Sequence, residues 1–220
     1  MIDTGAIKKA ALRANTVGRR GVTRGVARLP AVLLVGFMGA GKTSVGAALA
    51  RRLGWSFEDL DDRIERREGR TVREIFRESG EARFRRAEHE ALRDVLEELR
   101  EGAERVVALG GGAFVQERNA GLIAASGIPT VFLDAPVEEL WRRCSRQAPE
   151  PGMERPLLTT LDDFRELYEQ RRVSYIKAPL RLETGGKSVE RIAAEVGRAL
   201  SLAPRRSPGR RSPRKRGERN

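Results

Sequence analysis

The sequence predicts an α/β fold of three layers, α/β/α, built on a parallel sheet of five strands. Two observations carry that expectation. Short apolar runs alternate along the chain with longer segments whose apolar residues recur every three or four positions, the pattern of parallel strands joined by helices that cover both faces. The first such run, Ala31 to Val35, breaks into a glycine-rich turn that opens directly on a helical pattern, as in sheets that bind ligands at the carboxyl ends of their strands. A chain of 220 residues with 40% hydrophobic content holds one substantial core. No apolar stretch approaches the roughly 18 to 20 residues that cross a bilayer, so a soluble protein with no membrane partner is expected.

The elements follow in order. Strand one is 31–35, and after the turn Val45, Ala48 and Leu49 repeat at helical spacing, placing a helix over 42–53. A strand at about 56–59 runs into an acidic cluster, and helices are expected over 61–68, 71–79 and 81–100. In the last of these Ala91, Leu92, Val95, Leu96 and Leu99 form one apolar stripe, read as core. The run RVVAL predicts a strand over 105–109, a helix is expected over 117–126, and PTVFL predicts a strand over 129–133. Helices over 136–147 and 160–176 flank a Pro-, Gly- and polar-rich stretch from 145 to 153. A weaker strand over 179–183 and a helix over 187–202 complete the pattern, and there are no internal repeats.

The net charge of +12 divides unevenly. Residues 1–30 carry seven basic side chains against one acidic, and 204–220 carry eight against one, which leaves 28 basic and 29 acidic residues between them. The expected folded unit, 31–203, is therefore close to neutral. The C-terminal PRRSPGRRSPRKRGERN has no apolar residue and cannot bury enough surface to fold. It reads either as a solvated extension or as a weak, salt-sensitive anchor to nucleic acid or another polyanion. The N-terminal 30 residues have the Arg-rich, acid-poor composition of a transit peptide, and equally of a start placed too early in a GC-rich genome. A single cysteine, Cys144, excludes an internal disulfide and suits a reducing cytoplasm. One histidine, His89, argues against a zinc cluster.

Gly36-Phe37-Met38-Gly39-Ala40-Gly41-Lys42-Thr43 matches G-x-x-x-x-G-K-[ST], the phosphate-binding loop, in the strand-to-helix context that the motif requires. Unpaired N–H groups at the helix start favour phosphate, and glycines let the backbone approach it. Lys42 is expected to meet the β- and γ-phosphates of a nucleotide, and the Thr43 hydroxyl to bind Mg²⁺. The other polar oddities fall at the remaining strand ends. Glu58-Asp59-Leu60-Asp61-Asp62 can coordinate Mg²⁺, directly or through water, and take a proton from an attacking hydroxyl, while Asp59 or Asp61 also caps the next helix. Gly110-Gly111-Gly112 lets backbone run against a small ligand. Phe84-Arg85-Arg86-Ala87-Glu88 and Glu154-Arg155-Pro156-Leu157-Leu158 supply guanidinium groups suited to carboxylate and phosphate, the second of them on a lid at about 145–158.

In this order the motifs resemble the shikimate kinase family, over about 31–202. The resemblance rests on GFMGAGKT, on Asp59 and Asp61 as D-x-D, on the G-E-x-x-F-R-x-x-E string from Gly80 to Glu88, on LGGG at 109–112 and on RPLL at 155–158. It implies a P-loop kinase with a lid, acting on ATP and shikimate as a cytoplasmic monomer with Mg²⁺. Gly39, Ala40, Gly41, Lys42, Thr43, Ser44, Arg143 and Arg155 would bind the nucleotide, with Arg143 against adenine and Arg155 on the transferring phosphate. Asp61, Arg85, Arg171 and the backbone of Gly110, Gly111 and Gly112 would bind shikimate; Asp59 would hold Mg²⁺ through water, Glu88 would orient Arg85, and Phe76 and Phe84 would wall the pocket. Lys42, Asp61 and Arg155 would be catalytic. Two features depart from the family's pattern. Where the family places R-x-P-L-Y, this chain has Arg171-Arg172-Val173-Ser174-Tyr175, in which spacing to tyrosine selects Arg171 but Arg172 stands next to it. The lid is also several residues longer. A gluconate-type kinase would keep GFMGAGKT but has no reason to carry the Phe84-Arg85, LGGG and RPLL set. A nucleic-acid-binding ATPase is favoured by the basic ends and opposed by the neutral centre.

Overall fold

A computed structural model of the chain describes residues 30–146 and 160–203. The two basic extensions, most of the lid and Arg155 lie outside these residues.

The elements run β1 (Ala31–Val35), α1 (Lys42–Leu53), β2 (Ser56–Asp59), α2 (Leu60–Glu68), α3 (Val72–Arg100), β3 (Arg105–Ala108), α4 (Glu117–Ser126), β4 (Thr130–Asp134), α5 (Val137–Arg146), α6 (Leu161–Tyr175), β5 (Leu180–Glu183) and α7 (Val189–Ala199). The five strands form one sheet in the order β2-β3-β1-β4-β5, every pair parallel. The fold class expected from the sequence is the one observed.

Burial follows position in the sheet. AVLLV of β1 lies between β3 and β4 and is buried along its whole length, as a strand covered on both faces must be. The edge strands carry weaker patterns. In β5 only Leu180 and Leu182 turn inward, which is why its sequence signal is faint. On β2 the half-buried Glu58 pairs with Arg63, Arg66 and Arg105, covering an edge that would otherwise offer unpaired backbone. Helix α1 packs close to β2 because position 46 is glycine: a Cβ there would stand 2.4 Å from the Phe57 ring.

The long α3 begins with a capping box between Thr71 and Glu74 and buries the stripe from Ala91 to Leu99. The two helices expected over 71–79 and 81–100 are both present and meet end to end at Gly80. That glycine, with φ 74° and ψ 171°, is the one non-helical residue of α3 and breaks its axis. Helical starts and stops elsewhere agree with the sequence to within a few residues. Among the described residues no helix is long and apolar enough to cross a membrane.

Candidate active site

The carboxyl ends of β1, β2 and β3 bring the sequence motifs together. After β1 the loop makes its turn at Gly39 and Gly41, with φ 77° and 85°, conformations that a side chain resists. The Lys42 ammonium folds back over the loop and donates to the carbonyls of Gly36 at 2.9 Å and Phe37 at 3.2 Å. Burial pushes it below its ordinary pKa, and the carboxylates of Asp61 and Asp59 oppose that shift. Ser44, next along α1, is exposed.

Asp59 serves two partners at once. Its Oδ1 accepts from the Asp61 N–H at 3.1 Å, capping α2, and its Oδ2 accepts from the Thr43 hydroxyl at 2.9 Å. Thr43 and Asp59 thus hold two hard oxygen donors together between the start of α1 and the end of β2. Mg²⁺ takes only one or two protein oxygens beside phosphate and water, so this pair suits it. Among the described residues no group of three or more His, Cys, Asp or Glu side chains could hold a metal.

The three glycines after β3 each meet one charged side chain. A Cβ on Gly110 would lie 2.6 Å from Asp61 Oδ1, one on Gly111 would lie 3.5 Å from Arg171 Nη1, and one on Gly112 would lie 2.4 Å from Arg85 Nη1. At Gly110 and Gly112 a Cβ would collide with the side chains that close on the loop from α2 and α3, whereas at Gly111 it would make an ordinary contact with α6. Asp61 Oδ1 is buried and has no hydrogen-bond partner among the described residues. Burial, with Asp59 and Glu88 nearby, pushes this carboxyl up to about 7. A buried acceptor without a donor is costly, and this one stands at a strand end beside the P-loop.

Arg85 is held from two sides: it donates to Glu88 at 3.0 Å and, through Nε and Nη2, to Glu81 at 3.1 and 3.0 Å. Glu88 is 1% exposed, and burial pushes its carboxyl up against the opposing pull of Arg85. Phe76 and Phe84 stack with ring centroids 4.6 Å apart, and the Arg85 guanidinium lies 5.2 Å over Phe84.

The neighbouring arginines of α6 face different partners. Arg171 lies 5.8 Å over the Phe37 ring of the P-loop and against Gly111. Arg172 turns to Asp134 at the end of β4, 3.7 Å away, where Tyr168 and Arg181 also bond the same buried carboxylate, each at 2.8 Å. Arg143 on α5 donates to the Gly39 carbonyl at 3.2 Å, to Glu139 at 2.5 Å and to the Thr184 carbonyl at 3.3 Å. It therefore joins the P-loop to the turn after β5. Three contributors had no role assigned from sequence: Glu81, Glu139 and the Tyr175 hydroxyl, which donates to the Gly111 carbonyl. The first two were signalled by i,i+4 spacing to an arginine on the same helix. His89 bonds Asn119 at 2.7 Å, an ordinary packing contact away from these groups.

Comparison with known proteins agrees with this geometry. A family model described as shikimate kinase matches residues 38–201. A shikimate kinase of Cereibacter sphaeroides is 41% identical over 79% of this chain and 83% of its own length. One of Geobacter sulfurreducens is 43% identical over 75% of this chain and 87% of its own. Among solved structures, shikimate kinase from Acinetobacter baumannii in complex with shikimate superposes with a TM-score of 0.66 at 35% identity, covering 79% of this chain and 94% of that one. With a family match running from the P-loop to the end of α7, and relatives this similar over most of both chains, the protein belongs to the shikimate kinase family.

Proposed function

We infer that the protein transfers the γ-phosphoryl group of ATP to the 3-hydroxyl of shikimate, giving shikimate 3-phosphate and ADP, a step of the shikimate pathway to chorismate and the aromatic amino acids. The observation that carries this reading is the meeting of Asp61, Arg85 and Arg171 on three successive glycines beside the P-loop. A carboxylate faces a hydroxyl there, and two guanidinium groups face a carboxylate, on one backbone frame.

In the transfer, the substrate oxygen bonds to the γ-phosphorus as the bond to the β,γ-bridging oxygen breaks. ADP leaves with that electron pair, and the hydroxyl proton passes to Asp61, whose Oδ1 has no other partner. Lys42 offsets charge on the phosphates, and Arg155 from the lid does so on the transferring group. Catalysis is then mostly positioning and charge stabilisation. Thr43, and Asp59 through water, would hold Mg²⁺, which when bound neutralises phosphate oxygens. Gly39 to Ser44 cradle the phosphates, and Arg143, fixed by Glu139, lies against adenine. We take the protein to act as a monomer in the cytoplasm. Residues 31–203 are taken as the catalytic unit, with 1–30 and 204–220 as extensions.

An ADP-release assay across shikimate, gluconate, nucleoside monophosphates and RNA tests the reading. Turnover is expected with shikimate alone. Faster turnover with gluconate, or ADP release that depends on RNA, would replace it.

A further inference from the structure

The Tyr175 side chain is the one part of the LGGG surroundings that the reaction does not use. It is wholly buried, with its ring 5.3 Å from that of Phe132, and its hydroxyl reaches the Gly111 carbonyl. The same hydroxyl and the Arg171 guanidinium close on one glycine: a Cβ on Gly111 would lie 3.6 Å from the Tyr175 oxygen and 3.5 Å from Arg171 Nη1. Because the O–H is spent on a carbonyl, which only accepts, the oxygen presents lone pairs to the guanidinium, which only donates. The guanidinium thus stands beside Gly111 with the phenol oxygen and 5.8 Å over the Phe37 ring, with donors left for another group. Burial pushes the phenol up to about 12, so it stays a neutral donor throughout the working range.

We propose that the Tyr175 hydroxyl is a positioning group for the substrate's carboxylate: it aims Arg171 and fixes the Gly111 peptide while touching no substrate itself. The proposal rests on the reading of Arg171 as a partner of the shikimate carboxylate. It goes beyond that reading in assigning the direction of Arg171 to one hydroxyl on the next turn of α6, four residues on. Removing that hydroxyl leaves a buried carbonyl and a guanidinium short of a partner, while the ring and its packing remain.

The test is a cycle of Tyr175→Phe, Arg171→Ala and the double variant, in steady-state kinetics of the full chain. Tyr175→Phe is expected to raise the KM for shikimate about tenfold, with the KM for ATP unchanged, and to add little once Arg171 is already alanine. An unchanged shikimate KM, an equal rise in the ATP KM, or full additivity overturns the proposal. A second measurement keeps the hydroxyl in place. The chain has two tyrosines, so incorporation of 3-fluorotyrosine gives two ¹⁹F lines, assigned with Tyr168→Phe. Saturating shikimate should move the Tyr175 line in the native chain and leave it still in Arg171→Ala; a line unmoved in the native chain overturns the proposal even if Tyr175→Phe fails to fold. Should Arg171→Ala leave the shikimate KM unchanged, the underlying reading of Arg171 falls and takes this one with it. A damaged Arg171→Ala beside an unaffected Tyr175→Phe overturns the positioning role alone.

Discussion

Gly110 and Asp61 stand in such close contact that a Cβ on the glycine would lie 2.6 Å from the carboxylate oxygen that has no partner. The two residues come from β3's end and α2's first turn, so backbone on one strand sets the position of a side chain on a neighbouring element. Gly110→Ala should push Asp61 aside and lower kcat by about 10², the usual cost of an ångström's misplacement, with the KM for ATP unchanged. Gly121→Ala, in the middle of α4 with nothing within 4 Å of its added methyl, is the matched control and should keep full activity. Steady-state kinetics of the pair checks both.

Arg171 and Arg172 should fail in different ways. Arg171→Ala removes a charge-assisted contact worth roughly 1.5–3 kcal/mol, about ten- to a hundredfold in shikimate affinity. Arg172→Ala should leave that affinity alone and instead lower the melting temperature by about 2–4 °C, because the buried Asp134 loses one of two guanidinium neighbours. Titration calorimetry and thermal melts separate the two. The reverse outcome would place Arg172 at the substrate.

Asp61 makes stability depend on pH in a direction opposite to most carboxylates. Its folded pKa, about 7, lies above the ordinary 3.8, so between those values the folded chain binds more protons than the unfolded one and stability falls as pH rises. Asp61→Asn removes the cost of holding the ionised form. In EDTA, and without nucleotide, the variant should therefore melt higher than the parent at pH 8, on the order of several °C, and by a much smaller margin at pH 5. Equal margins at both pH values would remove Asp61 from the strained set, whatever its activity.

Arg155 is expected to act on the transferring phosphate, so Arg155→Ala should lower kcat on the order of 10³ or more. A loss of only a few fold in a single-turnover assay would make it a structural residue of the lid.

The strand and helix succession was legible because buried parallel strands and amphipathic helices each leave a period in the sequence. Ala31 to Val35 is the clearest case, and the alternating LRLE of β5 the faintest. The P-loop was legible for a different reason, since Gly39 and Gly41 must adopt positive φ and Lys42 follows at once. What the sequence could not show is pairing in space. Strand order β2-β3-β1-β4-β5 depends on crossovers, and nothing local says that Gly110, Gly111 and Gly112 each meet a different element. The direction of Arg171 and Arg172 is likewise read from contacts outside α6, with Phe37 on one side and Asp134 on the other.

The break at Gly80 has its consequence in helical phase. Within an unbroken helix each added residue turns everything beyond it by about 100°, so Phe76 and Arg85 would be locked to one another's rotation. At Gly80 the helical geometry stops and starts again, with φ 74° and open space where a Cβ would point. The rotation of the segment bearing Phe76 is therefore not fixed by the helix that bears Arg85 and Glu88. What ties the two across the break is side-chain contact, the Phe76 ring on Phe84 and the Arg85 guanidinium over that same ring.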